Sequence, residues 1–280
     1  MNKVAKNAVW IIGIRVVQAV VAMLINMLTA RYLGPSGFGL ITYASSLVAF
    51  VLPIMQLGLC NVLVQEIVNN PNDEGKILGT SITLSFISSI CCIVGVTAFA
   101  FVANPDEPTT ILVCFLYSLI LIFQAFDYVE YWYQAKLMSK YTSMISLVAY
   151  IVVSIYKIFL LVNGKSVYWF AISNALDYVL ISSGGLLLYR KLGGSKLKFS
   201  IETGRMMFEK SKHYILSSMM VTVFAQTDKI MLKMMLNESA TGYYGAAVTC
   251  AGMTGFVFTA IIDSFRPSIF EGLKDGKDVF

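Results

Sequence analysis

Eight stretches of this chain, residues 7–29, 40–64, 79–103, 110–135, 141–163, 166–188, 213–236 and 242–262, are each long and apolar enough to cross a bilayer. A spanning helix needs roughly 20 apolar residues for a hydrocarbon core of ~30 Å. Inside lipid the backbone has no water to bond, so a spanning segment must satisfy its own peptide groups, and runs of this length do so as helices. The segments 40–64 and 79–103 hold no charged side chain, whereas Arg15, Asp177 and Asp228 sit well inside theirs. A charge at such depth is costly and normally faces a protein interior or a wet cavity. The sequence therefore predicts an all-α polytopic membrane protein built around a polar cavity.

Composition narrows the function classes. Hydrophobic residues make up 57% of the chain and charged residues 13%, against ~25% charged in a typical soluble domain. No basic stretch interleaved with aromatics of the kind that grips nucleic acid is present. The first apolar segment carries Arg15 and lacks an A-x-A-like exit, so it reads as a permanent helix and not a cleaved signal. Cys60, Cys91, Cys92, Cys114 and Cys250 all fall in apolar segments, with no C-x-x-C pair and no neighbouring histidine, so they read as packing residues and no metal site is expected.

Charge sets the expected orientation, since cytoplasmic loops collect Lys and Arg. Assigning the basic residues to alternate sides gives 15 on one side and 3 on the other, with Arg15, Lys157 and Lys229 inside helices. The N-terminus is expected in the cytoplasm. The longest loop, 189–212, carries seven basic residues and divides six helices from two. This gives a six-helix lobe over 1–188, a basic inter-lobe loop over 189–212 and the start of a second lobe over 213–280. The stretch SIETGRMMFEKSK within the loop has the pattern of a short amphipathic helix on the membrane surface. The loop reads both as a solvated basic segment and as a hinge touching anionic headgroups.

Polar residues inside the spans mark the candidate site. Arg15, Ala22 and Asn26 share a helical face, with Gln18 beside them. That face lines a cavity, or else Arg15 extends its stem to the interface. Asp177 lies near the middle of its span, too short to reach water, and shares a face with Asn174. In the fourth span, Gln124, Asp127, Glu130 and Gln134 fall along one side among Tyr128, Tyr131, Trp132 and Tyr133. They form either an interfacial aromatic belt with carboxylates or a carboxylate-lined inner vestibule, with Asp127 and Glu130 its candidates. In the seventh span Gln226, Lys229 and Lys233 share a face, while Asp228 points elsewhere and needs a partner on another helix. Lys157 is the candidate partner, and Lys233 is close enough to the outer end to extend to it.

Four strings carry a resemblance: ARYLGPSGFGLITYASSLVAF at 30–50, QLGLCNVLVQEI at 56–67, DYVEYWYQAKLMSKYTSMISL at 127–147 and TDKIMLKMMLNESATGYYGAA at 227–247. In this order and spacing the chain resembles the Wzx-type polysaccharide repeat-unit flippases. These form the polysaccharide transporter branch of the MOP exporter superfamily, relatives of the lipid II flippase and the MATE exporters. The resemblance implies a V-shaped helical bundle with a central cationic cavity. It implies alternating access that moves an undecaprenyl-diphosphate-type lipid-linked oligosaccharide to the outer leaflet of a bacterial or archaeal cytoplasmic membrane. It implies no covalent chemistry and no cofactor, with membrane lipid and polysaccharide polymerase machinery as partners; the driving force would be a proton or sodium gradient through Asp177 or Asp228, or downstream consumption of the product. Arg15, Gln18, Asn26, Asp177, Gln226, Asp228 and Lys229 are the cavity candidates, and diphosphate oxygens would suit Arg15. Gln65 and Lys233 depart from the pattern, standing where relatives carry a basic and a small residue. Relatives hold twelve to fourteen spans, so a chain of eight is expected to be truncated. A MATE-like exporter of small cations shares the fold but would want a more acidic cavity. An integral-membrane enzyme would want a large extramembrane loop with carboxylates.

Overall fold

The computed structural model describes the backbone of residues 3–136 and 138–252, and side chains from residue 18 to residue 252, Leu137 and Ser139 excepted. The chain is an all-α polytopic membrane protein, with no strand among the described residues. Among the described residues, five stretches are long and apolar enough to cross a membrane: Gln18–Asn69, Pro71–Ala103, Pro108–Ala135, Lys140–Val162 and Val167–Lys191.

The first of these is far too long for one crossing, and glycine divides it. Helix α1 (Lys3–Met55) is broken at Gly34, whose φ of 68° and ψ of 176° only glycine adopts without strain. Pro35 then opens the second half, where its missing N–H costs nothing. A second break follows α1, where Leu57 and Gly58 both have positive φ before α2 (Cys60–Asn69). A Cβ on Gly58 would lie 2.5 Å from the carbonyl oxygen of Ser211, and the Ser211 hydroxyl donates to the Leu57 carbonyl at 2.8 Å. The break is thus built to receive a neighbouring helix.

Next come α3 (Glu74–Ala103), an apolar stretch broken into α4 (Pro108–Ser118), α5 (Ile120–Gln124) and α6 (Val129–Ala135), then α7 (Ser139–Val162) and α8 (Val167–Lys191). Helix α9 (Ile201–Met235) follows a non-helical strap, and residues 238–252 form a further helix, α10. The amphipathic helix expected within 189–212 is present from Ile201, but it runs unbroken into the seventh span.

Contacts between turns distinguish two ends. At one end, Tyr32 bonds the Lys165 carbonyl, Asn104 bonds the Tyr43 hydroxyl, and Ser36 bonds Glu238. At the other, Lys210 pairs with Glu66, Ser195 with Glu74 and Lys136 with Glu74. This second end holds the lysine-rich strap and is the basic end of the molecule. Consecutive turns alternate between the ends, as a serpentine of spans requires. Helix α9 runs the full height: Ser211 to Lys233 is about 33 Å at 1.5 Å per residue.

Three buried clusters stack between the ends. Leu63, Ile67, Leu78, Trp132, Tyr133 and Tyr189 pack at the basic end, Met55, Cys92 and Leu121 in the middle, and Tyr43, Val96, Ala100 and Ala171 at the opposite end. The sequence offered an aromatic belt at the fourth span. Tyr128, Trp132 and Tyr133 are instead buried, with Trp132 edge-on to Tyr189 at 4.9 Å and to Tyr133 at 5.1 Å. Edge-to-face geometry suits the ring quadrupoles and fixes α6 against α8.

The second half of α1 meets α10 along bare backbone. A Cβ on Gly39 would stand 1.7 Å from the Glu238 carbonyl oxygen, and one on Gly242 2.0 Å from that of Pro35. Small residues let spanning helices approach this closely. Gly39→Ala and Gly242→Ala should each destabilise the protein by about 1–3 kcal/mol through overpacking. Gly95→Ala, which meets nothing within 4 Å, should be neutral or slightly stabilising. Thermal unfolding of the detergent-solubilised variants checks this, and equal midpoints for the three would refute the seam.

Candidate functional site: a cationic cavity closed at one end

Between α1, α7, α8, α9 and α10 lies a cavity of about 210 Å³. Asn26 and Thr29 come from the first half of α1, and Thr42 and Ser45 from the second; α4 contributes Tyr117, α7 Lys157, α8 Asn174 and α9 Lys229. Glycine brings α10 close here: a Cβ on Gly245 would lie 2.6 Å from the Thr42 side chain.

Two lysines dominate its chemistry. The Lys157 ammonium donates to the Asn174 side-chain oxygen at 3.0 Å, and the Lys229 ammonium to the Gln226 side-chain oxygen at 2.8 Å. Both acceptors are neutral amides. No carboxylate is among the described residues lining the cavity. Two cations in a partly desolvated site, answered only by amide dipoles, leave positive charge that an anion would neutralise. Asp177 lies within electrostatic reach of Lys157, but its Oδ1 is buried without a hydrogen-bond partner and does not line the cavity.

The residues singled out in the sequence separate into groups. Asn26 and Lys229 line the cavity, and Gln226 orients Lys229. Gln18 lies on α1 two turns toward the basic end from Asn26, half-buried. Asp228 turns away: one carboxylate oxygen takes the Lys229 backbone N–H at 2.8 Å and the other the Tyr244 hydroxyl. Lys157 is therefore not the partner of Asp228; it belongs to Asn174. Asp127 and Glu130 line a crevice of only about 20 Å³ between α6, α7 and α8. That is room for about one water, so in this conformation they line no vestibule. The side chain of Arg15 lies outside the described residues. Sequence reading missed the hydroxyl groups of Thr29, Thr42, Ser45 and Tyr117. The signal was present in the second half of α1, where Phe38, Ile41, Thr42 and Ser45 recur at helical spacing within an uncharged span.

The end opposite the basic one is sealed over the cavity. Lys233 does not extend to the membrane surface. It is 5% exposed, and its ammonium bonds the two Glu107 carboxylate oxygens at 2.9 and 2.6 Å and Glu238 at 3.5 Å. Thr110 donates to Glu107 at 2.6 Å, and Ser36 to Glu238 at 3.1 Å. Thr29, Phe38 and Thr241 are buried in the same layer. Toward the basic end the walls stay polar and half-buried: Gln18 continues below Asn26, and Ser218, Thr222, Gln226 and Lys229 follow one face of α9.

A family of known proteins matches residues 4–273 of this chain, nearly its full length. The chain belongs to the polysaccharide biosynthesis protein family. Neither the curated proteins nor the solved structures yielded a match. Membership agrees with the multi-pass architecture.

The sealing network gives an asymmetric prediction. Exposed ion pairs contribute about 0–1 kcal/mol, and breaking a buried pair costs about 3–5. Lys233→Met leaves carboxylates that are 44% and 34% exposed and regain water, so a loss of roughly 1–3 kcal/mol is expected. Glu107→Gln instead leaves a buried ammonium with its main partner gone, and should cost more. Hydrogen bonds from Lys233 and Thr110 hold the Glu107 carboxyl below its ordinary value of 4.5. The folded value lies below the unfolded one, so this contribution is complete above about pH 4.5 and is lost as pH falls through the lower folded value. Acid titration of stability should be steeper below pH 4.5 in wild type than in Lys233→Met. Parallel curves would remove the pair from the seal.

Proposed function

We propose that this protein carries the diphosphate headgroup and attached oligosaccharide of a polyprenyl lipid across the cytoplasmic membrane by alternating access, for surface polysaccharide synthesis, as a Wzx-type flippase would. The observation that carries this reading is the pair Lys157 and Lys229, held by amides in a cavity without a carboxylate among its described lining residues. A diphosphate supplies the missing negative charge, and its oxygens accept from ammonium groups in short, charge-assisted bonds. The hydroxyls of Thr29, Thr42, Ser45 and Tyr117 and the amides of Asn26 and Asn174 suit phosphate oxygens or sugar hydroxyls.

Membership of the polysaccharide biosynthesis family supports the substrate class, and the run of apolar helices supports transport over covalent chemistry. In this reading the basic end is cytoplasmic, following the 15-to-3 distribution of basic residues. The conformation is then the inward-facing one, sealed outside by Lys233, Glu107 and Glu238. Substrate enters along the polar faces of α1 and α9, where Arg15 and Gln18 precede Asn26. Asp177, buried behind Lys157, is the proposed coupling group: protonation there would change the charge that Lys157 presents to the cavity. An exporter of small organic cations is disfavoured, because both charges in the cavity repel its substrate.

Replacing Lys157 and Lys229 together with glutamine should reduce surface polysaccharide at least tenfold and accumulate the lipid-linked repeat unit, with membrane insertion unchanged. Arg15→Ala should act in the same direction. Normal polysaccharide from an inserted Lys157→Gln/Lys229→Gln protein would sink the proposal. Enhanced export of an organic cation by that variant would point to the exporter instead.

A further inference from the structure

The strap between α8 and α9 carries a second cavity, separate from the central one. It has a volume of about 410 Å³ and lies between the end of α8 and the strap, lined by Leu186, Tyr189, Arg190, Gly194, Ser195, Lys196 and Leu197. The strap is extended, yet it is pinned along its length. Gly193 turns the chain with φ 81°, and the Tyr189 hydroxyl donates to the Ser195 carbonyl at 2.6 Å. The Ser195 hydroxyl donates to Glu74 at 3.0 Å, the Lys198 N–H to the Gly75 carbonyl at 3.1 Å, and the Ser200 N–H to Thr80 at 3.0 Å. Gly75 and Gly79 admit it, since a Cβ on either would stand 2.5–2.6 Å from strap backbone. The cavity wall is therefore a built feature of the fold.

The charge around it is one-sided. Arg190 and Lys196 line the cavity and are exposed, with Lys191 and Lys198 beside them. The carboxylate beneath is buried Glu74, already taken up by Lys136 at 2.9 Å and by Ser195. Segment 189–212 holds seven basic residues and two acidic ones, and one of these, Glu209, is paired with Lys212. The rim is apolar and outward-facing: Leu187, Leu192, Leu197, Phe199 and Ile201 are all exposed. Cationic side chains around a cavity, rimmed by exposed leucine, phenylalanine and isoleucine at the end of spanning helices, suit an anion that carries hydrocarbon.

We propose that the cavity between the end of α8 and the strap is a docking site for the phosphate headgroup of an anionic glycerophospholipid of the bilayer, held by Arg190 and Lys196 with its acyl chains against Leu197 and Phe199. The site is distinct from the central cavity and does not depend on the transport reading.

The test uses the purified full chain in detergent, titrated with phosphatidylglycerol or phosphatidylcholine, reading retained lipid by native mass spectrometry and the thermal midpoint in parallel. Phosphatidylglycerol should be retained and raise the midpoint, an effect that weakens with salt, while phosphatidylcholine should do neither. Arg190→Gln/Lys196→Gln should retain roughly 25-fold less phosphatidylglycerol. Arg190→Lys/Lys196→Arg should retain it, and so should Lys140→Gln, which removes a charge elsewhere at the same end. If the double glutamine variant fails to fold, each single variant should show about a fivefold loss. Equal retention by the glutamine variants, equal retention of phosphatidylcholine, or the same midpoint shift from inorganic phosphate would each overturn the proposal.

Discussion

Lys233 places a positive charge where water scarcely reaches, and the two carboxylates that meet it decide where α9 and α10 can sit. Glu107 belongs to the turn between α3 and α4, while Glu238 opens α10. One ammonium therefore joins the turn before α4 to α9 and α10. At the far end of α9, Ser211 is received by the break at Leu57 and Gly58. With both ends held, the middle of α9 has little freedom, and Gln226 and Lys229 are presented to the cavity. The cationic site is thus a consequence of anchors that lie outside it.

Much of this was legible in the sequence. Helices, their order and the two-sided distribution of charge follow from apolar run length and from lysine counting, because lipid permits few alternatives for a backbone. The shared face of Gln226 and Lys229 also survives, since it depends only on helical pitch. Pairings between helices were not legible. Lys157 goes to Asn174 rather than Asp228, and Lys233 to Glu107 rather than to the membrane surface. Pitch gives the direction in which a side chain points, but not which helix stands there. The breaks were equally hidden: Leu57 with positive φ contradicts its own preference and is imposed by the packing of α9.

Segment 189–212 also gains a different character. The sequence offered a solvated basic segment and a hinge, and the structure bonds the segment to α2 and α3 at nearly every turn, through Glu66, Glu74, Gly75 and Thr80. Any bending between α8 and the end of α9 must then fall beyond Ser211, within α9 itself, where the helix surface is largely exposed.

The glycine seam between α1 and α10 has a mechanical meaning. At Gly39 and Gly242 the contact is backbone against backbone, with no side chains interleaved. At those two positions there are no side chains to disengage, and the side-chain tie between the helices lies beside them, where Ser36 donates to Glu238. Resistance to parting then resides in the charged latch at Lys233, whose carboxylates stand close enough to water to be rehydrated as it opens. Such a joint closes tightly at its backbone and is held by charge rather than by interlocked side chains.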